Sequence, residues 1–155
     1  MIQQNDKLLA YFSNLHKTEK NSANIVEINY KKGDLIIKQD TFPKNIYLIL
    51  EGFVKCYIEE QNGRIYLIDF FGAGKILGEL EILSSINNFT TIEALTTIKA
   101  LKIEGEYWKR IIKKKTEFKN LVLDDLVSRL VLLAKKSSYQ HIYPIEQSII
   151  QIIDV

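Results

Sequence analysis

The 155-residue sequence is poor in the residues that build metal and redox centres. It contains one cysteine, Cys56, and two histidines, His16 and His141. A single thiol excludes an intramolecular disulfide and any cluster held by several thiolates of this chain. A cupin-type metal centre needs several histidines and a carboxylate, and both histidines lie outside the strand-rich part of the sequence. A metal-dependent enzyme is therefore disfavoured.

Nucleophilic catalysis is disfavoured as well. No recognisable motif places a histidine beside Cys56 or beside a serine. Cys56 lies in the strand-like run VKCYI, where a lone thiol is typically a small packing residue. We therefore predict that the protein is not an enzyme.

Strong charge and long apolar runs are also missing. The formal net charge is +2, and the arginines are limited to Arg64, Arg110 and Arg129. Because a surface that follows phosphates needs clustered basic residues, direct DNA contact by this segment is disfavoured. The N-terminus lacks the apolar run of a signal peptide, and no stretch approaches the length of a membrane span. We expect a cytoplasmic protein without a membrane partner.

The middle of the sequence has the residue pattern of a β-domain. Short β-branched and aromatic runs, separated by turn residues, follow one another from Ile25 to Ile103: IVEINY, LIIK, IYLILE, FVKCYIE, RIYLIDFF, TTIEAL and TIKALKI. Gln61-Asn62-Gly63 predicts a tight hairpin between the fourth and fifth runs, since Asn-Gly supplies positive φ angles. Such spacing favours an all-β sandwich or roll.

Helical patterns flank this region. Leu8, Phe12 and Leu15 predict a short first helix, with Asn5 or Asp6 as its cap, followed by a polar connector from His16 to Asn24. After Gly105, EYWKRIIKKK and EFKNLVLDDLVSRLVLLAKKSS predict two helices, the second ending before Pro144.

The last of these helices carries a leucine seam, defined here as Leu123, Leu126, Leu130 and Leu133. Their 3-4-3 spacing keeps them on one face, as in a coiled coil, and favours a homodimer interface. The alternative is that this stripe packs on the chain's own β-domain. The apolar run Ile145–Val155 would leave a helix face bare, which indicates that it continues into something larger.

One glycine-rich stretch has a chemical rationale. Gly74 and Gly78 precede a predicted short helical turn at Glu79–Leu83. The first turn of a helix has unsatisfied N–H donors and a partial positive charge, which favour an anion. The Glu79 carboxylate would accept hydrogen bonds from ligand hydroxyls.

These residues carry a resemblance to a known family. The stretches KKGDLIIKQD and YLILEGFVKCYIEEQNGRIYLIDFFGAGKILGELEIL, with the strand pair after them, resemble the cyclic-nucleotide-binding domain of the Crp-Fnr (catabolite-activator) regulators. The resemblance implies a mainly β fold with helices, a double-stranded β-helix or jelly-roll-like β-roll, followed by a long dimerisation helix. It implies three segments: helix and β-roll at 1–104, a helical region at 105–143, and the start of a winged-helix DNA-binding domain at 144–155.

The resemblance also implies a ligand site. In cyclic-nucleotide-binding members, a phosphate cassette runs from Gly-Glu to an arginine and a small hydroxyl residue, and the arginine position falls on Phe89. An aromatic ring cannot replace the bidentate arginine contact, so cyclic nucleotide is disfavoured as the effector. The positions that would read adenine fall near Leu133 and Ala134, which have no polar side-chain group. The candidate ligand-binding residues are Gly78, Glu79, Leu80, Phe89, Thr90 and Thr91.

The function that we predict is therefore the effector-sensing and dimerising part of a Crp-Fnr-type transcription regulator that does not bind cyclic AMP in the usual way. Its expected partners are a second copy of the chain, a small-molecule effector, and DNA only through a C-terminal domain missing from this chain. The alternatives are a nucleotide-binding regulatory module of a protein that does not bind DNA and, least favoured, a cupin-like enzyme. The effector itself is not identified by the sequence.

Overall fold

A computed structural model describes residues 5–19 and 22–142, which form eight strands and four helices. The strands are β1 (Ile25–Tyr30), β2 (Leu35–Ile37), β3 (Asn45–Glu51), β4 (Val54–Glu59), β5 (Ile65–Phe71), β6 (Ile76–Leu77), β7 (Thr91–Ala94) and β8 (Ile98–Glu104). The helices are α1 (Asp6–Thr18), α2 (Glu79–Ser84), α3 (Gly105–Lys114) and α4 (Thr116–Ile142). The fold is mainly β with helices, as predicted.

The strands form two antiparallel four-stranded sheets. One has the order β1-β8-β3-β6 and the other the order β2-β7-β4-β5. One buried apolar cluster draws on strands of both: Ile36, Ile37, Ile49, Val54, Cys56, Leu77, Ile92, Ala94, Ile98 and Ala100. Because both sheets contribute to this cluster, it is the core between them. This arrangement confirms the predicted β-roll.

The hairpin between β4 and β5 is confirmed, but its turn differs in detail from the prediction. Gly63 has a φ of +82°, whereas Asn62 is not among the residues with positive φ. Instead, the side-chain Oδ1 of Asn62 accepts a hydrogen bond from the Arg64 N–H at 2.9 Å. This local bond is typical of asparagine in turns. The turn thus contains only one of the two positive φ angles that an Asn-Gly hairpin would use.

Helix α1 is capped and docked as its sequence predicts. The Asn5 side chain accepts a hydrogen bond from the Leu8 N–H at 3.1 Å, and Leu8, Phe12 and Leu15 are buried. The predicted connector begins later than expected, because the helix continues to Thr18. His16 therefore lies in the last helical turn, where its Nδ1 is buried, and it is not a solvated connector residue.

An aromatic cluster, defined by Tyr11, Phe12, Trp108 and Phe118, joins α1 and α3 to the beginning of α4. The rings of Phe12 and Trp108 are stacked with centroids 5.6 Å apart. Phe118 packs edge-on against both of these rings, at 5.3 Å and 4.9 Å. Phe12, Trp108 and Phe118 are completely buried. Aromatic pairs in these geometries add stabilisation beyond the burial of area alone.

The chain divides into two compact units, residues 1–119 and 120–155. In the second unit the leucine seam is largely exposed: Leu123 is 54%, Leu130 65% and Leu133 62% exposed, and Leu126 is half-buried. The predicted domain start at 144–155 lies outside the described residues. Among the described helices, none is both long and apolar enough to cross a membrane.

The aromatic cluster leads to a stability prediction. Replacing Phe12 with Ala removes a fully buried ring, and we expect the free energy of unfolding to fall by about 3–5 kcal/mol. The matched control is Phe42→Ala, since Phe42 is 70% exposed, and it should change stability by less than about 0.5 kcal/mol. Urea unfolding measured by circular dichroism gives both values. Equal losses in the two variants would contradict the central role of the cluster.

Candidate ligand-binding site

The predicted helical turn is present as α2, and its geometry requires glycine at Gly78. Gly78 caps the helix with a φ of +89°, in the left-handed region that side chains disfavour. A Cβ at this position would lie 3.2 Å from the Asn45 carbonyl oxygen. Glu79, the first residue of α2, is only 3% exposed. The second acidic residue of α2, Glu81, is also buried, at 5% exposed.

The other half of the predicted cassette lies at the beginning of β7. Thr90 and Thr91 are both buried. Thr91 accepts a hydrogen bond through its Oγ1 from the Gln39 N–H at 3.1 Å, which ties β7 to the end of β2. Phe89, at the position where the family resemblance implies arginine, is 46% exposed. The two threonines therefore have different partners, although they are neighbours in sequence.

Thr90 belongs to a polar group inside the roll that is centred on Cys56. Burial raises the pKa of the Cys56 thiol, and a hydrogen bond with Thr90 acts in the opposite direction. The charges of Glu81 and Asp69 also raise this pKa, whereas the charge of Lys75 lowers it. We call these residues the interior polar cluster: Cys56, Asp69, Lys75, Glu81 and Thr90. A thiol with a raised pKa is a poor nucleophile, in agreement with a packing role for Cys56.

Lys75 is the main feature that the sequence analysis missed. It is 8% exposed, and its ammonium group lies 4.3 Å from the centroid of the Phe71 ring. Lysine is almost never buried unless its charge has a compensating partner. Lys75 stands between Gly74 and Gly78 in the run Gly-Ala-Gly-Lys-Ile-Leu-Gly. Its burial depends on the sheet packing and is not encoded in that local pattern.

The candidate residues therefore divide into two groups. Gly78, Glu79, Thr90 and Thr91 lie in the interior or at its edge, whereas Leu80 and Phe89 are 40% and 46% exposed. Among the described residues, no group of three or more His, Cys, Asp or Glu side chains is arranged to hold a metal ion. Lys75 provides a cation and the acidic residues provide hydrogen-bond acceptors. These groups can recognise a small polar molecule, but they include no activated nucleophile.

Two pockets open on the surface near this interior. One, of about 360 Å³, is lined by residues that include Glu81, Ile82, Glu104 and Lys109. The other, of about 280 Å³, lies beside the loop between β2 and β3 and includes Asn88 in its lining. None of the six candidate ligand-binding residues lines either pocket.

Comparison with known proteins agrees with this architecture. Residues 27–115 match the family described as the cyclic nucleotide-binding domain. A curated relative, the cAMP-dependent protein kinase regulatory subunit of Dictyostelium discoideum, is 26% identical over 133 residues. That alignment covers 84% of this chain and 41% of the relative, so the chain spans less than half of the relative's length.

Solved structures of transcription regulators share the fold. A transcriptional regulator from Thermotoga maritima aligns with a TM-score of 0.68 at 23% identity, covering 81% of this chain and 98% of that one. The catabolite activator protein of Thermus thermophilus aligns with a TM-score of 0.62 at 18% identity, covering 87% of this chain and 55% of that one. At these identities the likeness establishes the fold.

These relatives are regulatory proteins of two kinds, transcription regulators and a kinase regulatory subunit. The family match covers more than half of the sequence. The chain belongs to the cyclic nucleotide-binding domain family.

Proposed function

We propose that this chain is the effector-sensing and dimerising part of a Crp-Fnr-type transcription regulator, with an effector that is not cyclic AMP bound in the usual way. The interior polar cluster is the observation that carries this proposal. Lys75 and Glu81 of this cluster, and Glu79 at the start of α2, are each less than 10% exposed.

Burial of charge is costly, and it persists where the charges are compensated or serve a function. Replacing a buried ionic group by apolar side chains of similar volume is often neutral or stabilising, so stability alone gives a weak reason to keep one. The charges of Lys75 and Glu81 act on the Cys56 thiol, to which Thr90 is hydrogen-bonded, and this combination has the composition of a site for a polar ligand. The same groups would be unusual in a roll that serves only as a scaffold.

Phe89 distinguishes this site from one built for a cyclic phosphate. A guanidinium forms two parallel charge-assisted hydrogen bonds with a phosphate, and a phenyl ring forms none. Glu79 stands at the glutamate of the Gly-Glu pair with which the cassette begins. The effector that we propose is therefore a small polar molecule, with hydroxyl or amino groups for the buried carboxylates.

In this proposal, the leucine seam forms the dimer interface whose arrangement the effector changes. Leu123, Leu130 and Leu133 are exposed at the spacing of a coiled coil. An effector that binds one dimer arrangement better than another would shift the population toward that arrangement. In a Crp-Fnr-type regulator, such a shift would alter the spacing of DNA-binding domains, for which residues 144–155 would form the first segment.

A second candidate is the regulatory module of a protein kinase, which the Dictyostelium relative favours. The two candidates share the roll and differ in what the complete reading frame encodes. A helix-turn-helix downstream of α4 would support the transcription regulator, and a kinase-associated region or a second cyclic nucleotide-binding domain would support the alternative. Sequencing the complete gene therefore separates them directly.

The ligand assignment leads to a prediction about Phe89. Calorimetry of the unchanged chain with cyclic AMP and cyclic GMP should show no tight, saturable binding. Phe89→Arg should raise affinity for cyclic AMP at least about tenfold, because a hydrogen bond to a charged group contributes about 1.5–3 kcal/mol. The matched control is Phe53→Arg, since Phe53 is 43% exposed and lies outside the cassette. Tight binding by the unchanged chain, or an equal gain in the control, would contradict this reading.

Dimerisation leads to a separate prediction. The unchanged chain should sediment as a dimer, and the double variant Leu126→Asp/Leu130→Asp should sediment as a monomer, because it would bury unpaired charges at the seam. Ser128→Asp adds one charge to the same helix outside the seam, and it should leave the dimer intact. If the double variant keeps the mass of the unchanged chain, the interface lies elsewhere.

A further inference from the structure

Strand β5 lies at the edge of its sheet with an apolar segment exposed. In the order β2-β7-β4-β5, β5 pairs with β4 and with no other strand of the described residues. Its first four residues are all apolar and exposed: Ile65, Tyr66, Leu67 and Ile68. Because successive side chains of a strand point to opposite faces, this segment is exposed on both faces. We call residues Ile65–Ile68 the open edge.

The other edge strands of the two sheets are protected in ways that β5 is not. β2 and β6 have only three and two residues. β1 is longer, but Glu27 and Asn29 occupy exposed positions in it, and Glu27 forms an ion pair with Lys99 at 3.9 Å. Short strands and charged side chains are common means by which proteins prevent an edge from pairing with another chain. The open edge has neither, so it is a surface suited to the addition of a strand.

The second half of β5 is closed by its own residues. Asp69 Oδ1 accepts a hydrogen bond from the Phe70 N–H at 2.8 Å. The register with β4 shifts between Leu67 and Asp69, which leaves Ile68 as an extra residue on β5. A β-bulge of this kind interrupts strand pairing. A pairing strand is therefore limited to the part of β5 that precedes the bulge.

The hydrogen bonds of β4 show which backbone groups of the open edge point outward. Glu59 lies opposite Ile65, and its N–H and C=O are bonded to the Gln39 side chain at 2.8 Å and 3.1 Å. Gln39 follows β2, on the side of β4 away from β5. Glu59 and Ile65 are therefore a non-hydrogen-bonded pair, and the backbone groups of Ile65 point away from β4. Because such pairs alternate along a regular ladder, the backbone groups of Leu67 point outward as well.

Two copies of the open edge are complementary to each other. In an antiparallel pair with Tyr66 opposite Tyr66 of the second copy, Ile65 of each strand exchanges N–H···O bonds with Leu67 of the other. This register has a two-fold axis, as a symmetric dimer contact requires. It also brings Arg64 of each strand to the end of the other strand that carries Asp69, so that opposite charges approach each other. The two tyrosines form a cross-strand aromatic pair, which is favourable.

The area of the contact indicates how strong it is. A large side chain has about 200 Å² of surface. The exposed apolar side chains of β5 are each about half exposed, and together with Phe70 they present roughly 500 Å² on each copy. The total of about 1,000 Å² lies at the lower limit for a specific interface. The contact is therefore weak, and its population depends on protein concentration.

We propose that the open edge is an interaction surface for a second copy of this chain, which adds its own β5 antiparallel and joins two four-stranded sheets into one. The contact contains no residue of the leucine seam, and it is independent of the effector that the interior polar cluster is proposed to bind.

A disulfide crosslink tests the contact and its register. In the proposed pair, the two Tyr66 residues form a non-hydrogen-bonded pair with Cα atoms about 4.5 Å apart, a separation that a disulfide spans. Tyr66→Cys at high protein concentration, oxidised with glutathione disulfide, should give a covalent dimer on a non-reducing gel. The matched control is Ile68→Cys, whose two copies would lie about 14 Å apart along the strands. It should crosslink at least tenfold more slowly, and the unchanged chain, with Cys56 buried, should give no covalent dimer.

Further variants, each made in the Tyr66→Cys chain, assign the crosslink to strand pairing. Leu67→Lys places a charge on the open edge, and Leu67→Pro removes an N–H that points outward, so both should slow crosslinking at least tenfold. Phe53→Lys changes an exposed aromatic residue outside β5 and should leave the rate within twofold. Circular dichroism verifies that each variant is folded, and Leu67→Lys alone suffices if the proline variant is not. The proposal is wrong if Tyr66→Cys gives no dimer, if Ile68→Cys crosslinks equally fast, or if Phe53→Lys slows the reaction as much as Leu67→Lys.

Discussion

Burial of both faces of the β3–β8 pair is the constraint on which the rest of this fold depends. On one face, Ile49, Ile98 and Ala100 belong to the core between the two sheets. On the other face, Ile46, Leu48, Leu101 and Ile103 are almost completely buried as well, and α3 packs against both strands. A strand buried on both sides needs nearly continuous apolar sequence, which the run NIYLILE provides. In IKALKIE, Lys99 and Lys102 interrupt the apolar residues at half-buried positions. The pair thus joins the interior of the roll to the helical layer outside it.

The strand segments were predictable because their apolar runs are bounded by turn residues, and α1 and α2 were predictable from capping residues and glycine positions. Other features depend on sheet order, which no local pattern specifies. The sequence of β5 is typical of a core strand, yet β5 lies at the edge of its sheet, where Ile65, Tyr66 and Leu67 are exposed. β6 has only two residues and forms because Ile76 and Leu77 pair with β3. Pairings of this kind are tertiary, so they lie beyond what a local run of residues can indicate.

The same limit applies to the candidate site. Gly78, Glu79 and Thr90 could be identified from a short motif because the motif combines a backbone requirement with side-chain chemistry. Lys75 and Glu81 could not, because lysine and acidic residues are usually exposed and their burial here follows from neighbouring strands. Phe89 was predicted to be a departure in chemistry, and its partial exposure followed only from the fold. Local motifs thus identified the positions at which the backbone is constrained, and they missed the charges that the fold brings together around them.

Because β7 lies between two other strands, a local change at the cassette affects its whole sheet. β7 pairs with β2 on one side and with β4 on the other, and Tyr57 is paired with Thr91 in the register of the latter pair. Thr90, just before this strand, is hydrogen-bonded to Cys56 on β4, while Thr91 is bonded to Gln39 after β2. A movement of Asn88 or Phe89 must therefore either break these bonds or carry both neighbouring strands with it. Closely packed interiors favour the second outcome, because they respond to strain by discrete rearrangement and resist continuous deformation. A ligand acts as a signal if it stabilises one of two such arrangements. Because β7 is attached to a strand on each side, the effect of such a ligand would extend beyond the residues that the ligand contacts.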